Sequence, residues 1–367
     1  MSIFDAIDQP TLLINEGVAR KNIERMADKV MGAVVRFRPH FKTHQSAEIG
    51  EWFREFGVDR ITVSSVEMAE FFAANGWQDI LIAFSVNIRQ VQRLQTLAEN
   101  VKLSLLVENI EAVDALALRP QFSADIWIKI DAGAHRTGID WQETESVAGL
   151  IHSINKYPGL QFKGLLTHSG NTYHCANSNE IIRAFRQGVT NMNALRDELL
   201  RKGVQDIEIS VGDTPGCSLC EDFSRIDELR PGNFIFYDAQ QLSIGSCTAE
   251  MIAVALACPV VAIHPERKEV VIYGGAIHLS KDFIEMDGKV SYGLVAFTEG
   301  DGWGLPVPGA IVCSLSQEHG VIRFEDDQFR RLKVGDLVCI LPAHSCLTVH
   351  LLRKYLTLSG KVIQTMN

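Results

Sequence analysis

Residues 79–107 read DILIAFSVNIRQVQRLQTLAENVKLSLLV and contain one full repeat of the pattern that decides the fold. Residues 79–84 and 103–107 are short apolar runs typical of buried strands. Residues 89–99 between them have the apolar spacing of an amphipathic helix. A strand, a helix and another strand in this order predict a parallel βαβ unit.

The same alternation extends over about two thirds of the chain. Strands are predicted near residues 35–41, 60–65, 79–84, 103–107, 125–130, 162–169, 207–212 and 229–235. Helices are predicted at residues 46–56, 66–75, 89–99 and 181–201. Eight strand–helix repeats predict an α/β fold, a (β/α)8 barrel. An open doubly wound sheet is the alternative, but no G-x-G-x-x-G follows the first strand.

The pattern changes after Gln240. Short apolar runs separated by turn residues predict an antiparallel β domain. An opening strand at residues 10–14 is expected to pair with it. The predicted organisation is therefore an N-terminal strand that joins the β domain (residues 1–15), a barrel (16–240) and a C-terminal β domain (241–367).

Composition limits the partners and the compartment. The net charge is −10, with 35 Lys and Arg against 45 Asp and Glu, which argues against nucleic acid or an anionic membrane as the main partner. The N-terminal segment does not have the pattern of a secretory signal, and eight scattered cysteines favour free thiols in a cytoplasmic protein.

Polar and glycine-rich segments follow the predicted strands, where barrel enzymes carry their sites. Lys42 ends the first strand beside Arg38, His40 and His44. We expect desolvation and these cations to lower its pKa and make it a nucleophile. The alternative is an ordinary lysine at the end of a strand.

Two turns follow the last two strands of the predicted barrel, at residues 212–214 (GDT) and 232–233 (GN). Each can present backbone N–H groups to a phosphate. Simple turn chemistry is the alternative for each. A lysine together with a phosphate cradle indicates pyridoxal 5′-phosphate (PLP).

The sequence resembles the D-threonine aldolase and D-serine dehydratase group of PLP enzymes, which have an alanine-racemase-like barrel (fold type III). The matching motifs are RPHFKTH (38–44), D-x-G-x-x-R-x-G (131–138), THSG (167–170), GDTP (212–215), RPGN (230–233), SQEHG (316–320) and PAHSC (342–346). The resemblance covers essentially the whole chain.

The resemblance implies a role for each matching residue. Lys42 would hold PLP, Arg136 would lie near the ring oxygen, His168 would back the ring, and Tyr173 would contact cofactor or substrate. The implied phosphate ligands are Thr214, Gly232 and Asn233. We leave Asp213 out, because a carboxylate beside a phosphate must point away or be neutralised.

His344 and Cys346 form the second candidate site. On a predicted strand, residues two apart face the same side, so an imidazole and a thiol would converge. A half-buried strand pair is the alternative, but the resemblance implies a divalent metal, zinc or manganese, with both residues as ligands and catalytic.

The function implied is a PLP- and metal-dependent lyase that acts on a small-molecule D-β-hydroxy-α-amino acid, with a slight preference for D-serine dehydration over D-threonine cleavage. The family also implies a homodimer. The alternatives are a PLP-dependent amino-acid racemase, a non-catalytic PLP-binding protein and a phosphate-binding barrel without pyridoxal.

Overall fold

A computed structural model describes residues 3–119, 121–286 and 288–366. The strands are β1 Thr11–Ile14, β2 Arg36–Phe37, β3 Ile61–Val63, β4 Asp79–Ser85, β5 Lys102–Val107, β6 Ala124–Asp131, β7 Ile139–Asp140, β8 Leu160–Leu166, β9 Glu208–Val211, β10 Glu228–Leu229, β11 Val254–His264, β12 Glu269–Tyr273, β13 Ile284–Met286, β14 Lys289–Ser291, β15 Gly293–Glu299, β16 Gly302–Leu315, β17 His319–Phe324, β18 Leu337–Pro342, β19 Lys354–Thr357 and β20 Val362–Gln364. The α-helices are α1 Glu16–Gly32, α2 Ala47–Arg54, α3 Val66–Ala74, α4 Val91–Ala98, α5 Ile110–Ala117, α6 Thr144–Ile154, α7 Ser178–Arg201, α8 Thr214–Leu219, α9 Ala239–Ser243, α10 Ala276–Leu279 and α11 Ser345–Leu352.

The chain divides into two compact units. The barrel unit comprises residues 25–42 and 50–232, and the β unit comprises residues 1–24, 43–49 and 233–367. Among the described helices, none is long and apolar enough to cross a membrane.

The barrel unit contains eight parallel strands in the order β2-β10-β9-β8-β6-β5-β4-β3, with β7 paired to β6. Thr62 of β3 connects the two ends of this order, because its N–H donates to Pro39 O and its carbonyl accepts from Phe41 N–H, both at 2.9 Å. A buried cluster is formed by one residue from each of four neighbouring strands, β4, β5, β6 and β8: Leu81, Leu106, Trp127 and Leu166. The predicted barrel is confirmed.

The β unit closes a second sheet, which is antiparallel. Strands β12, β17, β16, β15, β18 and β11 are neighbours in that order, and β11 pairs back with β12. β1 extends this sheet by pairing antiparallel with β11 and parallel with β19. The predicted antiparallel β domain is confirmed.

Two local predictions are wrong. The strand predicted at residues 229–235 ends at Leu229, and Asn233–Ile235 form a 3-10 turn; Pro231 has no N–H to donate to a strand ladder. His344 and Cys346 do not lie on a strand. His344 is the N-cap of α11, and Cys346 lies in the first turn of that helix.

Candidate active site

The site in the barrel unit is built on segments that follow β2, β6, β8 and β9. Lys42 lies in a turn beyond β2 and is exposed, and its N–H donates to His40 Nδ1 (3.3 Å). Arg38 is turned away into buried ion pairs with Glu228 and Asp79. The prediction that burial and Arg38 crowd Lys42 is therefore wrong.

His44 does not supply the predicted positive charge either. Its ring is fully buried in the β unit, and its Nδ1 accepts from Ser46 N–H (3.2 Å). Burial lowers the pKa of His44 to about 3, so the ring is neutral at physiological pH.

His168 is instead the centre of a cationic cluster. Burial lowers the pKa of His168 well below its ordinary value, and the nearby charges of Lys42, Lys129 and Arg136 lower it further. Its Nδ1 lies against the carbonyl oxygen of Gly212, which can only accept, so the proton is on Nδ1. His168 is thus a neutral ring among three cations, which we call the His168 cluster.

Lys129 is the member of this cluster that sequence reasoning missed. It lies on β6 with 5% of its surface exposed. Burial and then the charges of Arg230 and Arg136 lower the pKa of Lys129 to about 7. The one available signal was a lysine inside the apolar run of residues 125–130, where each neighbour is also buried.

The loop that carries Arg136 is ordered from both ends. Asp131 Oδ1 accepts from the N–H groups of Gly133, Ala134 and His135 at 2.9–3.0 Å. Gly138 N–H donates to Glu108 Oε2 (2.6 Å). These bonds hold the loop, and the Arg136 side chain is exposed.

Tyr173 and Thr214 meet on the same side of the barrel unit. The Tyr173 hydroxyl accepts from Thr214 N–H (3.2 Å), and the Tyr173 ring centroid lies 6.0 Å from that of His168. Because the hydroxyl oxygen accepts here, its proton can be donated to another group. Thr214 opens α8, and Gly232 follows β10 in a partly exposed turn.

The residues of the barrel unit fit PLP. Among the described residues, no carboxylate lies within ion-pair distance of Lys129 or Arg136, so a phosphorylated, anionic cofactor would neutralise charge that the chain leaves unbalanced. Lys42, exposed on the same cluster, supplies an accessible primary amine.

The β unit brings together the predicted metal ligands. The side chains of His344 and Cys346 are hydrogen-bonded to each other. Burial opposes the charge on His344, but Cys346, Asp238 and Asp282 outweigh it and raise the pKa of His344 to about 9. Asp282 Oδ2 lies 3.6 Å from His344 Nδ1, an arrangement that leaves Nε2 for another partner.

Asn233 belongs to the same cluster as Cys346. Its amide nitrogen donates to Asp238 Oδ2 and Ser345 Oγ, both at 2.8 Å, and lies 3.7 Å from Cys346 Sγ. The amide is thus already committed, so a phosphate contact from Asn233 would use its backbone N–H. Asp238 and Ser345 are contacts that sequence reasoning missed.

The donor set in the β unit fits a divalent metal. Nitrogen and sulfur donors suit zinc, and catalytic zinc keeps positions open for water or substrate. No group of three or more His, Cys, Asp or Glu side chains is placed to hold a metal within the described part of the chain. His344 lines a cavity of about 280 Å³ with Asp282, Phe283 and Gln240, so the imidazole of the pair is accessible.

A parallel barrel with a cationic rim and an added antiparallel β unit defines the class of alanine-racemase-like proteins. Residues 14–240 match the family model "Alanine racemase, N-terminal domain", and residues 253–358 match "Putative serine dehydratase domain". The chain belongs to this family, in the branch that carries both domains.

Relatives match over nearly their whole length. The D-threo-3-hydroxyaspartate dehydratase of Delftia sp. (strain HT23) is 30% identical over 352 residues, which cover 93% of this chain and 92% of the relative. The D-serine dehydratase of Dictyostelium discoideum is 28% identical, covering 95% and 93%. The solved Delftia enzyme has a TM-score of 0.91 and 26% identity, covering 100% and 99%. A cysteine-to-alanine variant of a D-threo-3-hydroxyaspartate dehydratase, solved in the metal-free form, has a TM-score of 0.90, 25% identity and the same coverage.

Proposed function

We propose that this chain is a PLP- and divalent-metal-dependent lyase that acts on D-β-hydroxy-α-amino acids, with dehydration as the main reaction. The observation that carries the proposal is the His168 cluster, in which Lys42, Lys129 and Arg136 surround a neutral ring. The Delftia and Dictyostelium relatives, which each match more than nine tenths of the chain, are dehydratases and support the same reaction.

PLP, when bound, withdraws electrons from the α-carbon of an amino acid and stabilises the negative charge left by bond cleavage there. Lys42 would hold the cofactor through its side-chain amine and would move the proton at the substrate α-carbon. Arg136 would balance the charge of the ring oxygen, and neutral His168 would pack behind the ring. Tyr173 would donate its hydroxyl proton to cofactor or substrate, and Thr214, Gly232 and Asn233 would bind the phosphate.

A divalent metal would supply a Lewis acid for the β-hydroxyl group. His344 and Cys346 would be its two protein ligands, and the sulfur donor favours zinc over manganese. Asp282, beside His344 Nδ1, would orient the imidazole. The metal-free structure of a related cysteine variant supports a metal in this family.

The relatives favour dehydration over carbon–carbon cleavage, because the Delftia and Dictyostelium enzymes described above are dehydratases. A D-threonine aldolase of Arthrobacter sp. is also related, at 24% identity. A racemase is not favoured. The alanine racemase of Clostridium difficile matches with a TM-score of 0.66 and 17% identity, which shows a common fold alone.

Product analysis tests the proposal. The purified enzyme is incubated with D-serine, D-threonine and D-threo-3-hydroxyaspartate, with and without EDTA. We expect keto-acid and ammonia, lost on chelation and restored by zinc; D-alanine and L-serine are the matched controls. Racemised D-alanine, or turnover unaffected by exhaustive metal removal, would contradict the proposal.

The family resemblance also supports a homodimer and a cytoplasmic location. Light scattering of the holoenzyme in solution tests the dimer: a mass of twice 40.8 kDa is expected, and a monomer at working concentration would contradict it.

A further inference from the structure

Two segments of the barrel unit are joined by three side-chain contacts. His168 Nδ1 donates to Gly212 O, Thr214 N–H donates to the Tyr173 hydroxyl, and Thr172 Oγ1 lies 2.9 Å from Asp213 Oδ1. The first two contacts involve residues that the proposed function places at the cofactor. Asp213 makes the third and has no role so far.

Asp213 is buried, with 2% of its surface exposed. Its Oδ1 accepts from Gly216 N–H (2.5 Å) and so caps α8. Its Oδ2 is fully buried, and no hydrogen-bond partner reaches it within the described residues. A carboxylate would leave part of its charge on that oxygen, which is costly in a dry environment.

The protons around Thr172 indicate how this cost is avoided. Thr172 Oγ1 lies 2.8 Å from Ser169 O as well as 2.9 Å from Asp213 Oδ1. A hydroxyl has one proton, and a carbonyl oxygen can only accept. If Asp213 carries a proton on Oδ1, it donates to Thr172, and Thr172 donates to Ser169. Both short contacts are then satisfied.

We propose that Asp213 is a positioning residue with a neutral carboxyl, which joins the segment of His168 and Tyr173 to residues 212–216 at the start of α8. This inference rests on the proposed function, because the groups it positions are those assigned to PLP. A neutral carboxyl group on Asp213 keeps the hydrogen bond to Thr172 and places no negative charge beside the phosphate of the cofactor.

The electrostatic surroundings of Asp213 agree with the geometry. Burial raises the pKa of Asp213 to about 7, although Gly216, Thr172 and Arg230 act in the opposite direction. The other titratable groups that face it are Cys217, Cys220 and Cys175. Burial raises the pKa of each of these thiols, so the thiols stay neutral in the range where Asp213 titrates.

The test is the pH dependence of PLP binding. Apoenzyme is titrated with PLP between about pH 6 and pH 8, and binding is followed by the absorption band at about 420 nm. For wild type we expect the dissociation constant of PLP to rise roughly tenfold over this range, because ionisation of Asp213 places a negative charge beside the phosphate. Asp213→Asn, which keeps the shape without the charge, should show a flatter profile. Asp213→Ala should bind weakly throughout.

Parallel profiles for wild type and Asp213→Asn would overturn the inference while leaving PLP binding intact. Absence of the band in wild type would instead overturn the proposed function. A second measurement uses wild-type protein, so it does not depend on whether the variants fold. The holoenzyme is labelled with ¹³C at the aspartate carboxyl groups, and the pH dependence of their resonances is followed by NMR. One resonance should titrate at or above about pH 7; if all titrate below about pH 5, Asp213 is ionised and the inference fails.

Discussion

The barrel unit buries two groups of charged side chains, and they are balanced in opposite ways. In the first, Arg38 Nε and Nη1 donate to Glu228 (2.8 Å) and Asp79 (2.6 Å), and Ser210 Oγ donates to the second Glu228 oxygen (2.8 Å). In the His168 cluster, Lys129 is just as buried but has no ion-pair partner among the described residues.

The difference separates structure from function. Burial favours neutral Glu228, yet its pKa stays below the ordinary value because Arg38 and Ser210 stabilise the carboxylate. The charges of Arg38, Glu228 and Asp79 are therefore balanced by one another, and no ligand is needed to neutralise them. In the His168 cluster, no carboxylate of the described residues lies within ion-pair distance of Lys129 or Arg136, and cationic side chains in this state are typical of a site that binds an anion.

Removing the amine of Lys42 should have the largest effect. Lys42→Ala is expected to abolish both the absorption band at about 420 nm and turnover, because no other amine of the cluster is exposed. Absorbance spectra and product assays measure this. Lys42→Arg, which retains the charge, should fail in the same way; a variant that keeps the band would refute the assignment.

Removing the sulfur of Cys346 should be the next largest effect. Cys346→Ala is expected to lose bound metal and to reduce turnover about 100-fold or more, because the Lewis acid is lost. The PLP band should persist. Metal analysis and absorbance separate the two effects, and Cys313→Ala, a half-buried thiol on β16, is the matched control. Full metal content in Cys346→Ala would end its role as a ligand.

Breaking the balanced group should cost stability and spare the cofactor. Glu228→Gln leaves Arg38 short of a buried anionic partner, and we expect the free energy of unfolding to fall by about 3 kcal/mol. Glu208→Gln, which removes the more exposed partner of Arg36, should cost less than about 1 kcal/mol. Denaturant titration measures both free energies of unfolding. Equal losses in the two variants would refute the expected contrast between the buried Arg38–Glu228 pair and the more exposed Arg36–Glu208 pair.

Lys129 should affect mainly the pH profile of stability. Burial lowers the pKa of Lys129 to about 7 in the folded protein, against an ordinary value of 10.5, so the unfolded chain binds more protons between these limits. Stability of the apoenzyme should therefore rise with pH across this range, by about 1 kcal/mol or more. Lys129→Met should flatten the profile, whereas Lys163→Met, at a partly exposed position, should not. An unchanged slope in Lys129→Met would mean that the amine stays charged.

The sequence predicted the barrel because its parallel strands are buried on both faces and read as apolar runs separated by amphipathic helices. It did not reveal which strand positions face the inside of the barrel, so Lys129 went unnoticed. The two-residue spacing of His344 and Cys346 predicts a strand, on which both side chains would face the same side. However, residues 345, 346, 348 and 349 are the buried ones, and this is helical spacing.

The same limit applies to Lys42. Its neighbours in sequence were expected to crowd it, yet Arg38 is committed to Glu228, and the cations near His168 come from distant β6 and its following loop. Side-chain partners depend on strand register and barrel closure, which local sequence does not specify.

Borohydride reduction of the holoenzyme, followed by peptide mass spectrometry, identifies the lysine that holds PLP. Reduction fixes a pyridoxyl group permanently on the lysine that holds PLP. We expect a single modified peptide that carries the adduct on Lys42, with Lys129 unmodified. An adduct on Lys129, or no adduct at all in protein prepared with PLP, would rule out Lys42 as the lysine that holds PLP.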